Sequence, residues 1–171
     1  MASVNSAELL TDGFGRVREV VSQAVDGLSS EELAFRIDGE ANSIAWLIWH
    51  LTRVQDDHLA DPAKTEQVWL ADGWSDRFGL PFDRAATGYG HTSNQVARLR
   101  ATPELLLGYH EAVQDQTLRF VAGLTGTDLD RVVDTGWDPP VTLAVRLVSV
   151  LSDDLQHAGQ AAFIRGILRR R

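Results

Sequence analysis

Cysteine is absent from the 171 residues, which excludes disulfides, thiolate metal ligands and a cysteine nucleophile together. Any thiol chemistry must therefore use a thiol brought in from outside. Lysine is nearly absent as well: of 16 basic residues only Lys64 is a lysine, a skew that reflects a GC-rich genome better than a function. Basic residues form no patch outside Arg169 to Arg171, and the formal net charge is −8 with a pI near 5.0. That balance argues against nucleic acid and anionic membrane as partners. No run approaches the roughly 18 apolar residues of a membrane span, and Met1 to Ser6 carry neither a basic nor an apolar leader pattern. The expected location is the cytoplasm.

With 44% hydrophobic residues, a chain of this length can bury one core without staples, so residues 1–171 are expected to form a single domain. Leu9, Leu10, Phe14, Val17, Val20, Val21, Ala24 and Leu28 recur at three- and four-residue spacings and predict a first helix over 5–28. Ser29 to Glu32 has the form of a capping box. Asn42 can cap a second helix from Ser43 to about Leu59, apolar over much of its circumference, with Pro62 placed after its end. Residues 61–101 then lose periodicity among Gly73, Gly79, Pro81, Gly88 and Gly90. Such a connection is either functional or carries short helices, and its aromatics Trp69, Trp74, Phe78, Phe82 and Tyr89 either wall a pocket or pin the loop. Thr102-Pro103-Glu104 opens a third long helix to about Gly123, and Val141 to Leu168 reads as the last. Four long helices and no convincing alternating strand predict an all-α four-helix bundle with a long crossover between helices two and three.

His50 lies within Trp46-Leu47-Ile48-Trp49-His50-Leu51, where a polar ring needs a partner to offset its desolvation. Asp153 and His157 stand four apart on the last helix, on one face and one turn from each other. On a solvated face that pair would be a minor ion pair; in an apolar helix it can share an ion with His50. Two imidazoles and a carboxylate suit zinc, or nickel, iron and manganese, and three protein ligands with an open position are the pattern of catalytic sites. Gln160 can orient His157 from behind or be a surface amide. Asp57, seven residues after His50, is placed on the same face, within reach of a substrate but not of the same ion. His58 is rotated by about 80° and reads as a surface histidine. Asp154 is a ligand only if the helix is irregular, and His91 and His110 have no partner in the pattern.

The segments Asn42-Ser43-Ile44-Ala45-Trp46-Leu47-Ile48-Trp49-His50-Leu51 and Asp153-Asp154-Leu155-Gln156-His157-Ala158-Gly159-Gln160 resemble the two signatures of the DinB-like superfamily, which includes the DUF664 group. The resemblance covers most of the chain. It implies an up-down-down-up bundle and a metal held by one histidine of helix two and an i, i+4 pair of the last helix. Many members carry three histidines; the aspartate at 153 is similar instead to the mycothiol-dependent maleylpyruvate isomerase branch.

The leading expectation is a metal-dependent thiol S-transferase or thiol-dependent isomerase, in which the metal lowers the pKa of an incoming low-molecular-weight thiol. The resemblance implies mycothiol for a GC-rich actinobacterial source, and bacillithiol or glutathione otherwise, with an electrophile as second substrate. Arg53 and Arg165 are the candidates for an arginine-lined mouth that binds the thiol cofactor. The alternatives are a metal-dependent hydrolase and a non-catalytic, stress-related metal-binding protein. A homodimer is the expected assembly, with no anchoring residue identified.

Overall fold

The computed structural model describes residues 5–171. Its four long helices are α1 (Ser6–Val25), α3 (Ile44–Ala63), α7 (Pro103–Ala122) and α8 (Leu143–Leu168). Four short ones, α2 (Ser30–Leu33), α4 (Val68–Ala71), α5 (Trp74–Phe78) and α6 (Ser93–Arg98), lie in the connections. Side-chain oxygens start each long helix by accepting an early backbone N–H: Asn5 from Glu8, Ser43 from Trp46, Thr102 from Leu105 and Thr142 from Val145. Ser43, not Asn42, caps α3, and α3 runs through Pro62 to Ala63 rather than ending before the proline. Its last turn closes on Lys64 in the left-handed region, with φ of 58°.

Pairwise contacts set the topology. α3 packs on α7 and α8, and α1 packs on the same two helices from the other side. Thr52 meets His110 and Gln55 meets Gln114 and Thr117, so α3 and α7 run parallel. His50 meets His157 while His58 meets Arg146, so α3 and α8 are antiparallel. Gln114 bonds the Phe14 carbonyl and Arg18 pairs with Glu111, which makes α1 antiparallel to α7. The order is up-down-down-up. Parallel neighbours need a return path as long as the helices, roughly 30 Å for 20 residues, and residues 64–102 supply it.

Asp56 anchors this crossover. Its carboxylate accepts the backbone N–H groups of Val68 at 2.9 Å and Trp69 at 2.8 Å, together with the Tyr109 hydroxyl at 2.8 Å. Trp69 then packs against Trp49, Phe78 and Tyr109, joining α4 and α5 to the bundle. A two-stranded antiparallel sheet, β1 (Val132–Asp134) with β2 (Val141–Thr142), precedes α8. Sequence patterning misses it because the strands are too short to alternate. Among the described residues no helix is long and apolar enough to cross a membrane.

Candidate metal centre

The antiparallel crossing of α3 and α8 brings His50, Asp153 and His157 together: one ligand-type atom from each lies within 4.8 Å of the others. His50 is buried, and the α8 pair is half-buried. The His157 Nε2 stands 3.5 Å from Asp153 Oδ1, and the two imidazole rings meet edge-on at 4.9 Å between centroids.

Each ring is fixed from behind. His50 Nδ1 donates to the Thr87 carbonyl at 2.6 Å; a carbonyl only accepts, so the proton sits on Nδ1 and the Nε2 lone pair is free. His157 Nδ1 likewise donates to Gln160 Oε1 at 2.8 Å. Trp46 stacks on the His50 ring at 4.5 Å and donates through Nε1 to His91 Nδ1 at 3.2 Å. Gly88 closes the rear: at φ of 95°, a Cβ there would fall 2.8 Å from His50 Nδ1 and 3.0 Å from Trp49. The crossover therefore does both things its aromatics suggest. Trp69 and Phe78 pin it, while Tyr89 lines the cavity beside His50.

Burial pushes His50 below the usual imidazole range, favouring the neutral ring. The hydrogen bond with Asp153 pushes His157 up, and Asp153 is held down despite its own burial because His157 faces it. Asp153 Oδ2 is buried and has no hydrogen-bond partner among the described residues. An unpartnered buried carboxylate oxygen is costly, and a ring nitrogen of each of two imidazoles lies beside it. This donor set fits a divalent cation with an open coordination position. Asp154, the next residue, is fully buried with both oxygens unpartnered among the described residues, and burial drives its carboxyl far upward toward the neutral acid.

A family model for mycothiol-S-transferases matches residues 9–170. The chain belongs to this mycothiol-S-transferase family, within the DinB-like group. The fold is also that of a solved structure, a conserved protein from Enterococcus faecalis, with a TM-score of 0.91 and 26% sequence identity. That alignment covers 99% of this chain and 100% of the other. No curated protein matches.

Among the family member's other expected site residues, Gln160 stands behind His157 as described, but three lie elsewhere. Arg53 is not at a mouth: it has 0% exposure and spends its guanidinium on the Ala86 carbonyl, Gln67 Oε1 and Tyr109, 3.7 Å from Asp56. Its charge is buried at the crossover anchor rather than at an open mouth, with Nη2 unpartnered among the described residues. Arg165 holds the Ala24 and Asp26 carbonyls at the end of α1. Asp57 accepts from Gln67 at 2.8 Å and lines a different cavity, with Thr65 and Leu70.

The open side of the cluster is a cavity of about 240 Å³ lined by His50, Val54, His58, Thr87, Tyr89, Ser149, Val150 and Asp153. On α3 this is the row 50, 54, 58, one of the i±4 ridges along which helices pack. His58 is thus a cavity residue rather than a surface histidine. Tyr89, 92% exposed, forms the rim. Thr87, Gly88 and His58 have no motif of their own in the sequence; the repeated glycines around Tyr89 are the one signal that a tight loop passes here.

Proposed function

We propose that this protein is a metal-dependent thiol S-transferase, which joins a low-molecular-weight thiol, mycothiol by family, to an electrophile. The observation that carries this reading is the convergence of His50, Asp153 and His157, the first two lining one cavity, in a chain without cysteine. In this proposal the three side chains hold one divalent ion, zinc first by donor set, with nickel, iron or manganese the other candidates. A bound ion would supply Lewis acidity that makes a thiol acidic at neutral pH, as such ions do for water.

The chain's own residues supply position. Thr87 and Gln160 fix the two imidazoles as Nδ1–H tautomers, so each presents Nε2 without tautomer selection at the moment of binding. Trp46, Trp49 and Gly88 exclude water from behind His50, which strengthens the electrostatics of the site on that side. Access is left to the Tyr89 side, through the cavity toward Val54 and His58.

The test is mycothiol consumption with a panel of electrophiles, using protein loaded with each metal beside His157→Gln. Thiol-dependent product that disappears in the variant is the expected result. Turnover that proceeds equally well without thiol would sink the transferase reading and favour metal-assisted hydrolysis.

A further inference from the structure

His58 is held in an unusual way for a histidine beside a proposed transferase site. Arg146 of α8 donates to its Nδ1 and, through its other terminal nitrogen, to Asp134 Oδ2 at 2.9 Å. A guanidinium has donors only. Nδ1 must therefore accept, and the proton of the neutral ring sits on Nε2. The short sheet before α8 has a purpose in this light: β1 supplies Asp134, which fixes the arginine that fixes the histidine.

Nε2–H has no partner among the described residues, and the ring lines the same 240 Å³ cavity as His50 and Asp153. The Asp153 carboxylate lies close enough to act electrostatically on the His58 ring. Burial, joined by the Arg146 charge, pushes His58 below the usual imidazole range, so the ring stays neutral near pH 7. His58 lies about 12 Å along α3 from His50 at 1.5 Å per residue, and helical side chains lean toward the N-terminus, back toward the cluster. The neutral ring, with its tautomer fixed, thus lines the cavity in which an electrophile would meet a thiol bound at the triad.

We propose that His58 is the hydrogen-bond donor for an oxygen of the electrophile, and that the favoured substrates are epoxides. This rests on the transferase reading above. In the step, the thiol sulfur forms a bond to a ring carbon and the carbon–oxygen bond breaks, leaving the electron pair on oxygen. The oxygen is stabilised by the Nε2–H and then takes, through water, the proton that the thiol released. The product is a hydroxy thioether, with no oxidant or reductant required. A halide leaves as a stable anion and gains little from such a donor; an alkoxide gains most.

The experiment compares kcat/KM for styrene oxide and benzyl chloride with mycothiol and zinc-loaded protein. His58→Phe is expected to lower the oxide-to-chloride ratio on the order of a hundredfold, the size of effect seen when one donor to a developing oxyanion is removed. His58→Gln, which keeps an N–H donor, recovers part of it. Arg146→Met gives an intermediate ratio because the tautomer is no longer fixed. An equal loss for both substrates overturns the inference. A second readout needs no turnover: ¹⁵N spectra of the histidine rings are expected to show His58 protonated on Nε2, with a selective shift of that nitrogen on adding 1-phenylethane-1,2-diol, an unreactive oxygen ligand. A ring protonated on Nδ1 overturns the inference. Wild-type turnover of the chloride but not the oxide overturns it alone, while turnover of neither overturns the transferase reading with it.

Discussion

Replacing Gly88 with alanine separates the backbone of the crossover from the geometry of the centre. The residue sits at φ of 95°, and the new Cβ would fall 2.8 Å from His50 Nδ1, 3.0 Å from Trp49 and 3.1 Å from Trp46. Those contacts are several tenths of an ångström short of ordinary packing, and neither tryptophan can retreat into the core behind it. The His50 ring must tilt, which breaks its 2.6 Å bond to the Thr87 carbonyl. Two effects follow with different sizes. The unfavourable φ costs roughly 1–3 kcal/mol, a fall in Tm of about 2–12 °C for a domain of this length. Losing the partner that orients a ligand histidine lowers metal affinity by roughly 10–100-fold. Gly90→Ala is the control, since Gly90 has φ of 74° but nothing within 4 Å of a Cβ. It shares the backbone strain and lacks the clash. Thermal melts and competitive zinc titration against a chromophoric chelator read both quantities. Both variants should lower Tm through the shared backbone strain, Gly88→Ala further through its clash, with only Gly88→Ala weakening zinc. Equal zinc affinity in the two variants would refute the argument that Gly88 is required by His50.

His110 is buried with Nε2 unpartnered among the described residues, and burial lowers its pKa to about 4. Because the folded value lies below the unfolded one, the unfolded chain binds the proton first, so stability is at its full value above about pH 6.5 and declines as pH falls toward 4. The loss approaches roughly 3 kcal/mol at 1.36 kcal/mol per unit, and urea titrations of His110→Phe should lack that part of the acid slope; an unchanged slope would count against the assignment. Asp56→Ala strands the buried Arg53 and two backbone N–H groups, so it should cost about 3–5 kcal/mol and open residues 64–102 to protease before the rest of the chain. Cleavage elsewhere first would show that Asp56 does not anchor the crossover. The conservative Asp56→Asn keeps an acceptor and should fall between.

Much of the fold is legible because it depends on periodicity within single helices. The stripes of α1, α3, α7 and α8, the Thr102-Pro103 start and the i, i+4 pair on α8 are all local patterns. What pairs with what is not local. Rotation along one straight helix puts Asp57 within about 20° of His50 and His58 about 80° away, yet the row that faces the cavity is 50, 54, 58 because α8 crosses along that ridge. Arg53 fails for a similar reason: its neighbourhood is made by Gln67, Ala86 and Tyr109, which come from the crossover and α7. Thr87 acts through its backbone carbonyl, so no side-chain pattern could reveal it.

The proposed function rests on His50, Asp153 and His157 holding a divalent ion. Elemental analysis of the purified protein by plasma mass spectrometry, beside an Asp153→Ala and His157→Ala double variant, tests it most directly. Close to one metal ion per chain is expected in the wild type, and its loss in the variant. A wild-type protein that takes up no metal after incubation with zinc would contradict it, and the unpartnered Asp153 oxygen would then need another explanation.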